Sequence, residues 1–97
     1  MIVHIVVFKF KDENKEAHLL QAKEMLDALP QKIKQIVSME VGINFDKSER
    51  AFDMSLYAKF QTKEDLEIYA PHPEHLKVVE FIKSVASESK VVDYILE

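Results

Sequence analysis

Two stretches decide the fold: Val37-Ser-Met-Glu-Val-Gly-Ile-Asn44 and Phe52-Asp-Met-Ser-Leu-Tyr-Ala-Lys-Phe60. In the first, Val37, Met39, Val41 and Ile43 alternate with Ser38, Glu40, Gly42 and Asn44. In the second, Phe52, Met54, Leu56, Ala58 and Phe60 alternate with Asp53, Ser55, Tyr57 and Lys59. Successive strand residues point to opposite faces, so a period of two describes strands with one greasy face each. The charged run Asp46–Arg50 between them reads as a loop, and the pair as a hairpin.

Working outward, the pattern before the hairpin is helical. Leu19, Ala22, Leu26, Leu29 and Ile33 recur at steps of three and four, with Asp12 or Asn14 as the N-cap. Pro30 lacks an N–H and clashes with the preceding turn, so the regular helix should kink or end there. The first ten residues, rich in Ile, Val and Phe, form a strand with Ile2, His4, Val6, Phe8 and Phe10 on one face and Val3, Ile5, Val7 and Lys9 on the other. After the hairpin, Thr62 with Asp65 starts a short helix in the manner of a capping box, with Leu66, Tyr69 and Ala70 on its inner edge. Ala70-Pro71-His72-Pro73 breaks it. Pro73 then suits the first position of a second helix capped by His72, running to about Ser87 with Val79, Ile82 and Ala86 on one stripe. Val91–Leu96 is the last strand.

The order strand, helix, strand, strand, helix pair, strand predicts an α+β, ferredoxin-like β-α-β-β-α-β domain: a four-stranded antiparallel sheet with helices on one face. Ninety-seven residues fit one domain, 1–97. The absence of Cys removes disulfides, thiolate chemistry and Cys-ligated metals, and a net charge of -4 with interleaved signs argues against nucleic acid as a partner. The apolar run Ile2–Phe8 is too short to span a bilayer and has no basic leader, so a cytoplasmic protein without a membrane role is expected.

Helices can cover only one side of the sheet, and Val6, Phe8, Met39, Val41, Met54, Leu56 and Phe60 mark that side. The opposite face then carries Val3, Ile5 and Val7, with Tyr57, Val91 and Ile95 near them and Ser38, Glu40, Asp53, Ser55 and Asp93 among them. A small domain that leaves such a patch bare gains from a partner, and a second copy in two-fold pairing is the simplest cover. The expectation is a homodimer.

Four His are present. His18 reads as a solvated helix residue. His75 is third in its helix and, by steps of four and seven to Val79 and Ile82, should face the sheet. The helix N-terminus and partial burial both disfavour imidazolium, which leaves a neutral ring able to accept a proton. His4 lies on the helix-facing side of the first strand, and Tyr69 ends the short helix. The three are expected to meet at a pocket lined by Val6, Phe8, Leu56, Val79 and Ile82, a form suited to a small molecule. His75 and Tyr69 are the candidate catalytic pair; His4 and His72 are candidate substrate-binding residues. His72-x-x-His75 has no third ligand, so no metal is expected. No glycine-rich phosphate loop or dinucleotide fingerprint is present, so no cofactor is expected either.

His4-Ile-Val-Val-Phe-Lys-Phe-Lys11, Val41-Gly42 and, above all, Tyr69-Ala-Pro-His72-Pro73-Glu-His75 resemble the stress-responsive A/B-barrel domain (Dabb) family, along essentially the whole chain. The resemblance implies a ferredoxin-like subunit and a dimer whose two sheets face each other as a barrel. The family includes stress-induced plant proteins, a plant polyketide cyclase and bacterial members of unassigned activity. Carried over from the cyclase, the resemblance makes His75 the base, Tyr69 its assistant and His4 a pocket residue, while Leu19, Leu20 and Leu26 replace the cyclase's aromatic residues on the long helix. Some members hold a cation on main-chain carbonyls near the end of that helix, where Pro30 leaves the Leu26 carbonyl without its usual partner. The function expected is therefore a Dabb-type dimer of unassigned activity that binds a small apolar or carbonyl compound. A cofactor-independent, cyclase-like enzyme is the alternative. Oxidation of a phenolic substrate, as in related ferredoxin-like monooxygenases, is a more distant one.

Overall fold

β1 (Ile2–Phe10), α1 (Lys15–Asp27), β2 (Ile36–Ile43), β3 (Met54–Phe60), α2 (Lys63–Tyr69), α3 (Pro73–Val85) and β4 (Ala86–Ile95) follow in that order in the computed structural model, which describes all of residues 1–97. The strands form one antiparallel sheet in the order β2-β3-β1-β4. This is the ferredoxin-like arrangement that the alternation of periods predicts. No helix is long and apolar enough to cross a membrane.

The core lies between the helices and one sheet face. Ile2, Phe8, Phe10, Val41, Met54, Leu56, Ala58 and Phe60 from the strands meet Leu19, Ala22 and Leu26 from α1, Leu29 and Ile33 beyond it, and Val78, Ile82 and Val85 from α3. Each large side chain buried there contributes about 1.5–3 kcal/mol. All five residues of the stripe from Leu19 to Ile33 are buried as the spacing predicts, three of them in α1 and two beyond it. α1 ends at Asp27, and Pro30 sits inside a short 3₁₀ turn, Leu29–Gln31, which carries the chain on toward Ile33. Asn14 is the residue before α1, in a left-handed conformation with φ 50°, and its side chain makes no cap hydrogen bond.

Several local expectations change. In β2 a bulge between Ile36 and Ser38 lets Ile36 pair with Phe60, so Ile36 is buried and Val37 is exposed. The inner stripe of α3 is Val78, Ile82 and Val85 rather than Val79, Ile82 and Ala86, and the helix ends two residues earlier than expected, at Val85. Ala70 is exposed. β4 begins at Ala86, directly after α3, and its register reverses the expected phase. Val6 pairs with Val91, His4 with Asp93 and Ile2 with Ile95. Val91, Asp93 and Ile95 therefore share the helix-side face. The open face carries Val92 and Tyr94 beside Val3, Ile5 and Val7. Of these, Val3 is fully buried under its own neighbours, although it lies outside the core cluster.

Candidate functional site

The site is made by the break between α2 and α3. Thr62 Oγ1 accepts the Asp65 N–H at 3.1 Å, which starts α2. Pro71 cannot continue that helix, and His72, preceding Pro73, takes an extended conformation with ψ 134°. α3 then starts with Pro73 at its first turn, and His72 Nδ1 accepts the Glu74 N–H at 3.1 Å as its cap. The tight turn brings Tyr69 and His75 face to face: their ring centroids are 4.1 Å apart and the planes 31° apart. The Ala70 carbonyl, left at the broken end of α2, accepts the His75 Nδ1–H at 2.9 Å. One interruption thus provides both the stack and the group that orients the imidazole.

A carbonyl can only accept, so His75 carries its proton on Nδ1 and Nε2 keeps a lone pair. Burial is the leading influence on His75 and lowers its pKa below the ordinary histidine value. The Ala70 hydrogen bond opposes this, while His4 and His72 add to it. Burial of Tyr69 pushes its phenol well above the usual tyrosine range, so the hydroxyl stays protonated and able to donate. The Tyr69 ring is almost wholly buried, yet no sealed side-chain polar atom is left without a partner, so its hydroxyl reaches accessible space.

His4 approaches from the sheet. Its ring meets Tyr69 edge-on at 6.2 Å and Phe60 at 6.4 Å. The β1–β4 register sets Asp93 opposite, and His4 Nδ1 donates to the Asp93 carboxylate. This leaves Nε2 as the second nitrogen of His4, by the same logic as in His75. Asp93 also borders a cleft of about 470 Å³ between α2 and β4, with Ile2, Leu66, Glu67 and Ile95. The structure therefore brings three of the four predicted residues together, His4, Tyr69 and His75. The fourth, His72, lies at the cap and borders a different cleft beside Pro30 and Ile68.

Two further points depart from the sequence reading. The expected pocket wall of Phe8, Leu56 and Ile82 is solid core, with Val6 packed against it. Asp93 was not a candidate, because the assumed phase of β4 put it on the other face. The missed signal was chemical: a His pointing inward from a strand needs a polar partner, and Asp93 is the carboxylate within reach on the neighbouring strand. No three His, Cys, Asp or Glu side chains gather in a way that could hold a metal ion.

In chemical terms the cluster offers a proton acceptor (His75), a neutral hydroxyl donor (Tyr69) and a carboxylate-oriented imidazole (His4). A ferredoxin-like subunit with this arrangement belongs to a defined class. Residues 2–96 match the model of the stress responsive A/B barrel domain, and the chain belongs to that family, Dabb. Two stress-response A/B barrel domain-containing proteins of Arabidopsis thaliana are 31% and 28% identical to it over the whole chain. The chain spans only 37% and 48% of their lengths. Among solved structures, a dimeric protein of unknown function and ferredoxin-like fold from Bacteroides fragilis is 34% identical. Its TM-score is 0.90, with 98% of this chain and 95% of that one covered. A hydroxynitrile lyase from Passiflora edulis shares the fold, with a TM-score of 0.87, 15% identity and coverage of 99% and 93%.

Proposed function

We propose that the chain acts as a homodimer in which each subunit binds a small carbonyl compound beside Tyr69, His75 and His4, and that His75 Nε2 takes a proton from the carbon next to the carbonyl. The observation that carries the reading is the state of His75: neutral through burial, with Nδ1 committed to Ala70 and Nε2 left as a base. The electron pair freed by proton removal moves onto the carbonyl oxygen. The Tyr69 hydroxyl, protonated at any physiological pH, donates to that developing enolate. The Asp93 carboxylate fixes His4, which orients the substrate from the sheet side. The enolate carbon then either takes the proton back from His75 or attacks a second carbonyl in the same molecule, whose π electrons move onto its oxygen and take that proton from His75 Nε2, a cyclase-like outcome that needs no cofactor.

Dimer formation is supported by the bare apolar surface of β4, where Val91, Val92, Tyr94 and Ile95 are exposed, and by the dimeric Bacteroides fragilis protein at 34% identity. Exchange of the acidic protons of a β-diketone in deuterium oxide, followed by NMR, tests the catalytic part. Wild type should accelerate exchange, and His75→Ala should return it to background. Equal exchange rates in the two proteins would overturn the assignment of the base. A second reading, binding without turnover, draws support from the solid core at Phe8, Leu56 and Ile82, which limits the room beneath His75. It predicts saturable binding of the diketone with no exchange.

A further inference from the structure

The outer side of the α2–α3 break carries a second cleft, of about 540 Å³, whose character runs against the chain's overall negative charge. Lys32, Lys34, Gln31, Gln35 and His72 form its walls, Pro30 and Ile68 its apolar surface, and no carboxylate lines it. The ion pairs of the chain use Lys15, Lys23, Lys77 and Lys90, so the ammonium groups of Lys32 and Lys34 are not neutralised. Glu74 is close enough to feel Lys32 but is held by Lys77 at 3.0 Å.

His72 adds a directional donor. Its Nδ1 accepts the Glu74 N–H at 3.1 Å, so in the neutral ring the proton sits on Nε2. The 3₁₀ turn at Pro30 is what carries Lys32 and Lys34 to this end of the molecule, facing the turn between the two later helices. The cleft therefore presents cationic and neutral N–H donors around an exposed Ile68, with the two glutamine amides as its side-chain acceptors.

From this arrangement we infer that the cleft binds an oxyanion carrying an apolar body, of the aryl or alkyl phosphate or carboxylate class, with the head group on Lys32, Lys34 and His72 and the body against Ile68 and Pro30. Ammonium groups and N–H donors match the lone pairs of such a head group, and a bare ion would leave most of the volume empty. This site is separate from the Tyr69–His75 stack and stands whether or not that stack is catalytic.

The test is an NMR titration of backbone amides with phenyl phosphate, benzoate and inorganic phosphate, each at constant ionic strength, against a sodium chloride control. Saturable shifts centred on Gln31–Gln35 and His72–Glu74 are expected. The double variant Lys32→Ala/Lys34→Ala should weaken binding about tenfold or more, as loss of charge-assisted hydrogen bonds implies. Lys83→Ala, on the exposed side of α3, should leave it unchanged. Tighter phenyl phosphate than benzoate assigns the head group to phosphate and the reverse to carboxylate, and either result supports the site. Shifts that match those in chloride, fail to saturate, or persist unchanged in the double variant would overturn it.

Discussion

β3 and β4 lie in the same sheet, each antiparallel to β1, and their fates differ sharply. On the helix side β3 presents Met54, Leu56, Ala58 and Phe60, all at 2% exposure or less, while β4 presents Val91 and Ile95 at 57% and 53%. On the open side β4 is as bare, with Val92 at 59%. β4 is also an edge strand, so one row of its backbone groups has no strand beside it. Apolar content alone therefore does not decide burial; position in the sheet does. The helix-side face of β3 is completed within one chain, whereas β4 leaves both faces and one edge open.

The contrast gives predictions of decreasing size. Phe60→Ala, in the finished half, should cost about 3–5 kcal/mol of stability in denaturant titrations, whatever the protein concentration. Val92→Glu, in the unfinished half, should leave the fold intact. It should raise the dimer dissociation constant about a hundredfold, measured by sedimentation equilibrium in the analytical ultracentrifuge, because it buries an unpaired charge between subunits. Thr62→Ala removes the cap of α2, the helix over β3, and should cost about 1 kcal/mol by thermal or denaturant melts.

The smallest effect concerns pH. His75 has a folded pKa below its unfolded value near 6.5, so the unfolded chain binds more protons in that range. Its contribution is complete above that value and is lost as pH falls through it toward the depressed folded pKa. Stability of the wild type should therefore drop more steeply as pH falls below about 6.5 than that of His75→Asn. Identical slopes would mean that His75 is not held neutral by burial.

How far the sequence could be read follows the same division. The α1 stripe and β3 were legible because each has one apolar phase and a polar remainder. β4 was not: in Val91-Val-Asp-Tyr-Ile-Leu96 both phases are apolar, so period two cannot choose between them. The register is set instead by where α3 stops and by the irregularity opposite Lys9 and Phe10. That ambiguity hid the His4–Asp93 pair. Val78 and Val79, adjacent and alike, blurred the stripe of α3 for a similar reason, and the bulge at Val37 leaves no mark in an alternating pattern. Tyr69 and His75 were legible as candidates because the two prolines fix the helix break that positions them, and His4 because its phase in β1 turns it toward the helices. The Ala70 carbonyl that orients His75 is a main-chain group, which no side-chain pattern announces.

The claim on which the account turns is that a second copy of the chain covers β4 and the open face. Light scattering at micromolar concentration measures this directly. A particle of twice the 11.3 kDa chain mass is predicted, falling to one chain mass in Val92→Glu. A stable single chain for the wild type at that concentration would contradict it.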